Sequence, residues 1–189
     1  LERYQAVVEA YIRGVERLVA SGGDASKVSS VASFFVSRVD TEADRRLDEV
    51  GRKDLQGKLA VANAKLAYEH WQQAFSGDRW AFLEGKGARN QRCLWASTST
   101  KNPAYRDVLY VEDLIGPETV NTMPLETVRA FQDHGEVRDT LTEGVADAHA
   151  ARLLHRVTHA EHRLALLDAH ARERAQRLVA ERGAGRLVD

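Results

Sequence analysis

A chain of 189 residues, 43% hydrophobic and 29% charged, has the profile of an ordinary soluble globular protein and is long enough for one domain. Its net charge of -1 promises no nucleic-acid partner, no apolar run approaches the ~18 residues needed to span a bilayer, and the start carries no tripartite leader. The lone Cys93 has no internal disulfide partner, so a reducing cytoplasm is the simplest setting.

Residues 2–20 place Val7, Val8, Tyr11, Ile12, Val15, Leu18 and Val19 at spacings of three and four, which predicts an amphipathic helix. Gly22 and Gly23 supply the left-handed conformation that stops it. Val28, Val31, Phe34, Phe35, Val36 and Val39 then predict a strand of about eight or nine residues. Its apolar residues fall on both faces, as in a parallel strand covered on both sides. Arg38 closes the strand, and ligands bind at such strand ends in parallel α/β folds. Ser33, Ser37 and Arg38 therefore sit where an anion would be held.

Thr41 with Asp44 predicts the capped start of the next helix, and the mixed charges of residues 44–49 predict a solvated face. A long helix runs from Lys58 to about Phe75 and a short one from Arg79 to about Glu84, with Trp71 and Trp80 as packing anchors. Gly85-Lys-Gly-Ala-Arg89 lacks the preceding strand and following helix of a phosphate loop, so it is a turn. Arg92–Ser97 is the second strand, in which Cys93 is a buried, inert thiol. The segment Ser97-Thr-Ser-Thr-Lys-Asn-Pro103 is either a polar rim at a barrel mouth or a Ser/Thr-rich turn capping the next helix. A short helix over 107–114, a brief strand at 120–124 ending in Asn121 and Thr122, and a helix from Leu125 to Phe131 complete the pattern. Three βα repeats predict a parallel α/β fold.

The last segment differs in kind. From His149 onward it holds Arg and His but no Lys and no aromatic residue. Residues 136–189 are thus a divergent helical tail or an out-of-frame translation of a GC-rich gene. His155 and His159 stand at i, i+4, yet without an acid between them or a third ligand they describe an exposed helix face better than a metal site.

Three motifs carry a family resemblance. Ser30-Val-Ala-Ser-Phe-Phe-Val-Ser-Arg-Val-Asp40 resembles the sixth-strand motif of transaldolases. Leu94-Trp-Ala-Ser-Thr-Ser-Thr-Lys-Asn-Pro103 is similar to the seventh strand of the longer, actinobacterial type, and Glu118-Thr-Val-Asn-Thr-Met-Pro124 to the eighth. The resemblance covers residues 1–135 and implies the last three βα units of a (β/α)8 TIM barrel. It further implies transfer of a dihydroxyacetone unit through a lysine Schiff base in the pentose phosphate pathway, without metal or organic cofactor. Sedoheptulose 7-phosphate, glyceraldehyde 3-phosphate, fructose 6-phosphate and erythrose 4-phosphate are the implied substrates. Carried over residue by residue, Ser33, Arg38 and Lys101 hold substrate phosphate, while Phe35, Ser97 and Asn121 line the pocket. Shorter transaldolases have an Arg two residues after the position of Ser97; here Lys101 stands four residues on and binds as a point charge. The family's lysine and acids belong to earlier strands, preceding Leu1, so no catalytic residue is expected in this chain. The alternative is a non-catalytic phosphosugar-binding or interaction remnant. Three βα units also leave open sheet edges, and Val31, Phe35, Leu94 and Trp95 are expected on an inward face without its opposite wall. Such a chain is expected to be insoluble, molten or oligomeric.

Overall fold

The structure, a computed structural model, describes residues 1–158 and 160. A first compact unit runs Leu1–Arg152; a second begins at Leu153, and its residues 153–158 are helical. His159 lies outside the described residues. Among the described residues, no helix is long and apolar enough to cross a membrane.

The first helix, α1 (Glu2–Ala20), buries Tyr4, Val8, Ile12 and Val15 along one stripe. Val7, expected on that stripe, is 48% exposed, because the buried row runs through Tyr4 and Val8 instead. Its C-terminus closes as the glycines foretell. The Gly23 N–H donates to Leu18 O at 2.9 Å, and Gly22 takes φ +77°, a value open to glycine at no steric penalty.

Strand β1 (Val31–Phe35) is shorter than the sequence suggests. Asp24 caps a 3-10 turn over Ala25–Lys27 by accepting from the Ser26 N–H at 3.0 Å, which delays the strand. At the other end, α2 (Ser37–Glu49) begins at once, so Arg38 does not close the strand but lies in the first turn of a helix. Thr41, expected to cap that helix, stands inside it and donates to Ser37 O at 2.9 Å. The long and short helices follow as α3 (Leu59–Ala74) and α4 (Asp78–Glu84). Next come β2 (Arg92–Ala96), the single-turn α5 (Leu109–Glu112), β3 (Thr119–Thr122) and α6 (Leu125–His134). Residues 145–158 are again helical.

The three strands form one parallel sheet in chain order, β1-β2-β3, with helices in the crossovers. This is an α/β fold with the architecture of part of a (β/α)8 barrel. Register and alternation assign the faces. Ala32, Cys93 and Thr119 are paired, as are Phe34, Trp95 and Asn121, and these rows face the helices. Trp95, expected on the inward face, is therefore on the other one. It is fully buried, its Nε1 donates to Leu114 O at 3.1 Å, and Phe34 meets it edge-on at 6.1 Å. The opposite face carries Val31, Ser33 and Phe35, which are exposed, beside Leu94 and Ala96. The strand covered on both sides is thus not what this chain presents.

Trp71 and Trp80 are anchors as expected. Trp71 Nε1 donates to Gln91 O at 2.9 Å, and Trp80 meets Phe75 edge-on at 4.6 Å. The Cys93 thiol is buried against the Tyr4 hydroxyl at 2.9 Å, and burial pushes its pKa up to about 12. It is inert.

Candidate functional site

Parallel strands end on one side of the sheet, and here Phe35, Ala96 and Thr122 share a register row at those ends. Ser33 and Phe35, two residues apart, point to the same exposed face. The chain then passes from β1 into α2 with no loop between, which brings Arg38 back over the strand end. Its guanidinium lies 5.0 Å from the Phe35 ring centroid, a cation–π contact that holds the charge above an otherwise bare aromatic face. Arg38 is exposed, and no carboxylate of the described residues forms an ion pair with it. Ser33, Phe35 and Arg38 thus share one rim, beside the positive end of a helix dipole.

The next strand end is tied to this rim. The Val36 N–H donates to Ala96 O and the Ser37 N–H to Ser97 O, each at 2.9 Å, extending the ladder past both strands. The Ser37 and Ser97 hydroxyls meet at 2.9 Å. Ser97 takes φ +60°, a left-handed backbone that a serine adopts at some strain. Beyond it Thr98 stays buried against β3.

Lys101 lies on the segment that follows. It is exposed, and its Nζ donates to Ser99 Oγ at 2.8 Å. The segment is a compact turn: Thr100 Oγ1 reaches Arg106 O and Asp107 O, both at 3.0 Å, and Asn102 Oδ1 accepts from the Ala104 N–H at 3.0 Å. Asn121 stands apart. Its row is that of Phe34 and Trp95, so it faces the helix side, where its Oδ1 accepts from the buried Thr98 hydroxyl at 2.7 Å. It secures the root of the turn and does not share the rim with Ser33.

Two acids escaped the sequence reading. Asp40 is 1% exposed; its Oδ1 accepts from the Ala60 N–H at 2.7 Å and its Oδ2 from the Tyr110 hydroxyl at 2.9 Å. Burial pushes its carboxyl up to about 6, against the pull of those two donors. Asp44, expected on a solvated face, accepts from the Gly57 N–H at 3.0 Å and from the Tyr105 hydroxyl at 2.6 Å. Burial and the Asp44 bond raise the Tyr105 pKa, and burial with Asp40 raises that of Tyr110. The i, i+4 spacing of the two acids was the available signal. Arg45 and Arg46 do lie on a solvated face, paired with Glu42. Among the described residues no group of three or more His, Cys, Asp or Glu could hold a metal ion.

The chain matches the family Transaldolase/Fructose-6-phosphate aldolase over residues 1–177. It is 54% identical over 154 residues to a protein named Transaldolase 1 from Streptomyces avermitilis, a match covering 79% of this chain and 41% of that protein. It is 55% identical over 141 residues to a transaldolase of Frankia alni, covering 73% and 38%, and 52% identical over 149 residues to one of Mycolicibacterium smegmatis, covering 77% and 40%. The chain thus spans about two-fifths of the length of these relatives. With its three βα units in parallel order and its motifs at the strand ends, it belongs to the transaldolase/fructose-6-phosphate aldolase family.

Proposed function

We propose that this chain carries the phosphate-binding side of a transaldolase site. In that site a dihydroxyacetone unit passes from a ketose phosphate to an aldose phosphate through a lysine Schiff base, the lysine coming from outside these 189 residues. The observation that carries the reading is Arg38. It is a guanidinium at the open strand ends, seated on Phe35 and unpaired with any described carboxylate. A phosphate there would take two parallel hydrogen bonds from the guanidinium fork and gain from the α2 dipole. Ser33 would add a hydroxyl from the strand, and Lys101 a second, more flexible positive charge. Phe35 and Ser97 would bound the sugar, while Asn121 keeps the turn in place. Sedoheptulose 7-phosphate and fructose 6-phosphate fit as donors, glyceraldehyde 3-phosphate and erythrose 4-phosphate as acceptors, since each ends in a phosphate and bears hydroxyls for the serines.

The lysines support the division of labour. A Schiff-base lysine works desolvated, so that its amine is neutral. Lys27, Lys53, Lys58, Lys86 and Lys101 are exposed, and the half-buried Lys65 donates to Thr140 O at 2.9 Å and Glu143 O at 2.8 Å. The test has two arms. Titration with inorganic phosphate should show binding that Arg38→Ala weakens roughly ten-fold or more, the loss of a charge-assisted hydrogen bond. Borohydride treatment with fructose 6-phosphate should leave the isolated chain unmodified. A covalent adduct, or phosphate binding indifferent to Arg38, refutes the proposal.

A further inference from the structure

One face of α2 is sewn to the segment that follows β2. Ser37, Asp40 and Asp44, spaced by three and four, point the same way, and their partners are Ser97, Tyr110 and Tyr105. The bonds are 2.9, 2.9 and 2.6 Å. Arg38 stands in the first turn of the same helix, next in sequence to Ser37, and Lys101 lies on the segment between Ser97 and Tyr105. The Tyr105 ring is also seated on Gly57, where an added Cβ would stand 3.0 Å from its Cζ. The backbone on either side of Lys101 is therefore fixed to the helix that bears Arg38, although Lys101 itself is held by one serine hydroxyl.

We propose that the seam is a positioning device that presets the Lys101 segment against α2, so that Lys101 and Arg38 meet one phosphate as a prearranged pair. This rests on the phosphate-site reading above. A flexible lysine on a mobile turn would lose rotamer and loop freedom on binding, whereas a fixed backbone leaves only the side chain to order. Asp44 and Tyr105 are the positioning residues, because their bond anchors the chain to α2 on the far side of Lys101 from Ser97.

The experiment is a double-mutant cycle on the full chain, reading the Kd for inorganic phosphate by calorimetry and the Tm of each variant. Tyr105→Phe keeps the ring and removes the hydroxyl. It is expected to weaken phosphate binding roughly three- to ten-fold, and to have no further effect in the Lys101→Ala background. Asp44→Asn, a second variant of the same bond, should weaken binding in wild type and not in Lys101→Ala. An equal loss in both backgrounds, or a lowered Tm with unchanged Kd, overturns the inference while leaving the phosphate site standing. Wild-type chain that binds no phosphate, or Arg38→Ala with an unchanged Kd, refutes the site itself and the inference with it.

Discussion

Replacing Asp40 with Asn should remove one destabilising, pH-dependent contribution across mildly acidic pH. The carboxyl is 1% exposed and its pKa is raised from 3.8 to about 6 by burial. The folded state therefore holds the proton more tightly than the unfolded chain, and stability from this group falls as pH rises through that interval. A shift of about two units corresponds to ~3 kcal/mol. Below about pH 4 the acid is protonated in both states and the term vanishes; by about pH 7 the full cost is present. Asn fits the same cradle, with Oδ1 accepting from the Ala60 N–H and Nδ2 donating to the Tyr110 oxygen. The difference in unfolding free energy, variant minus wild type, should rise by ~3 kcal/mol between about pH 4 and pH 7. Titrating groups remote from Asp40 cancel in that difference. Urea unfolding followed by tryptophan fluorescence suits the assay, since Trp80 and Trp95 are fully buried, and it works at concentrations low enough to suppress association. A difference flat with pH would show that the two donors outweigh burial and that Asp40 ionises normally.

Gly57→Ala should destabilise the chain by about 1–2 kcal/mol, the penalty of an L-residue at positive φ, because φ is +71° there and the new methyl would press on Tyr105; an unchanged urea midpoint would refute this. Trp95→Phe should lower stability by about 2–3 kcal/mol, leaving Leu114 O without its indole donor, and near-UV circular dichroism should report the loosened core. Val31 at 40% and Phe35 at 47% exposure share one sheet face, so the chain should self-associate at micromolar concentration and Phe35→Ser should weaken that association. Sedimentation velocity with unchanged distributions would argue that this face is not the contact.

Periodicity made α1, α3 and the parallel βα order legible, since apolar spacing reports which face an element buries whatever its neighbours. The start of α2 was not legible. Its N-cap is Val36, which offers no side-chain hydrogen bond, and Val36 and Val39 have the shape of strand residues, so the first turn reads as part of β1. The motif assigns Arg38 to the strand end, yet its seat on Phe35 depends on the missing loop between β1 and α2. The faces on which Trp95 and Asn121 lie are illegible for a different reason: a strand of five residues or fewer fixes its faces by register with its neighbours, which a single strand's pattern does not contain. Asp40 and Asp44 stand among charges that face water, and their partners are 13 to 70 residues away in sequence. The i, i+4 spacing of the two acids is the one local signal, and it names none of those partners.

The Tyr4–Cys93 contact makes the molecule its own unfolding reporter. Cys93 is the only thiol in the chain, and it lies between β2 and α1 with no solvent exposure. An alkylating reagent can reach the sulfur only when α1 lifts from the sheet, and only the thiolate reacts. The labelling rate therefore counts openings of that interface, separately from events at the strand ends where Arg38 and Lys101 reside. Phosphate held at the rim should leave this rate untouched unless it steadies the whole unit, and a slowed rate would measure how far the stabilisation spreads.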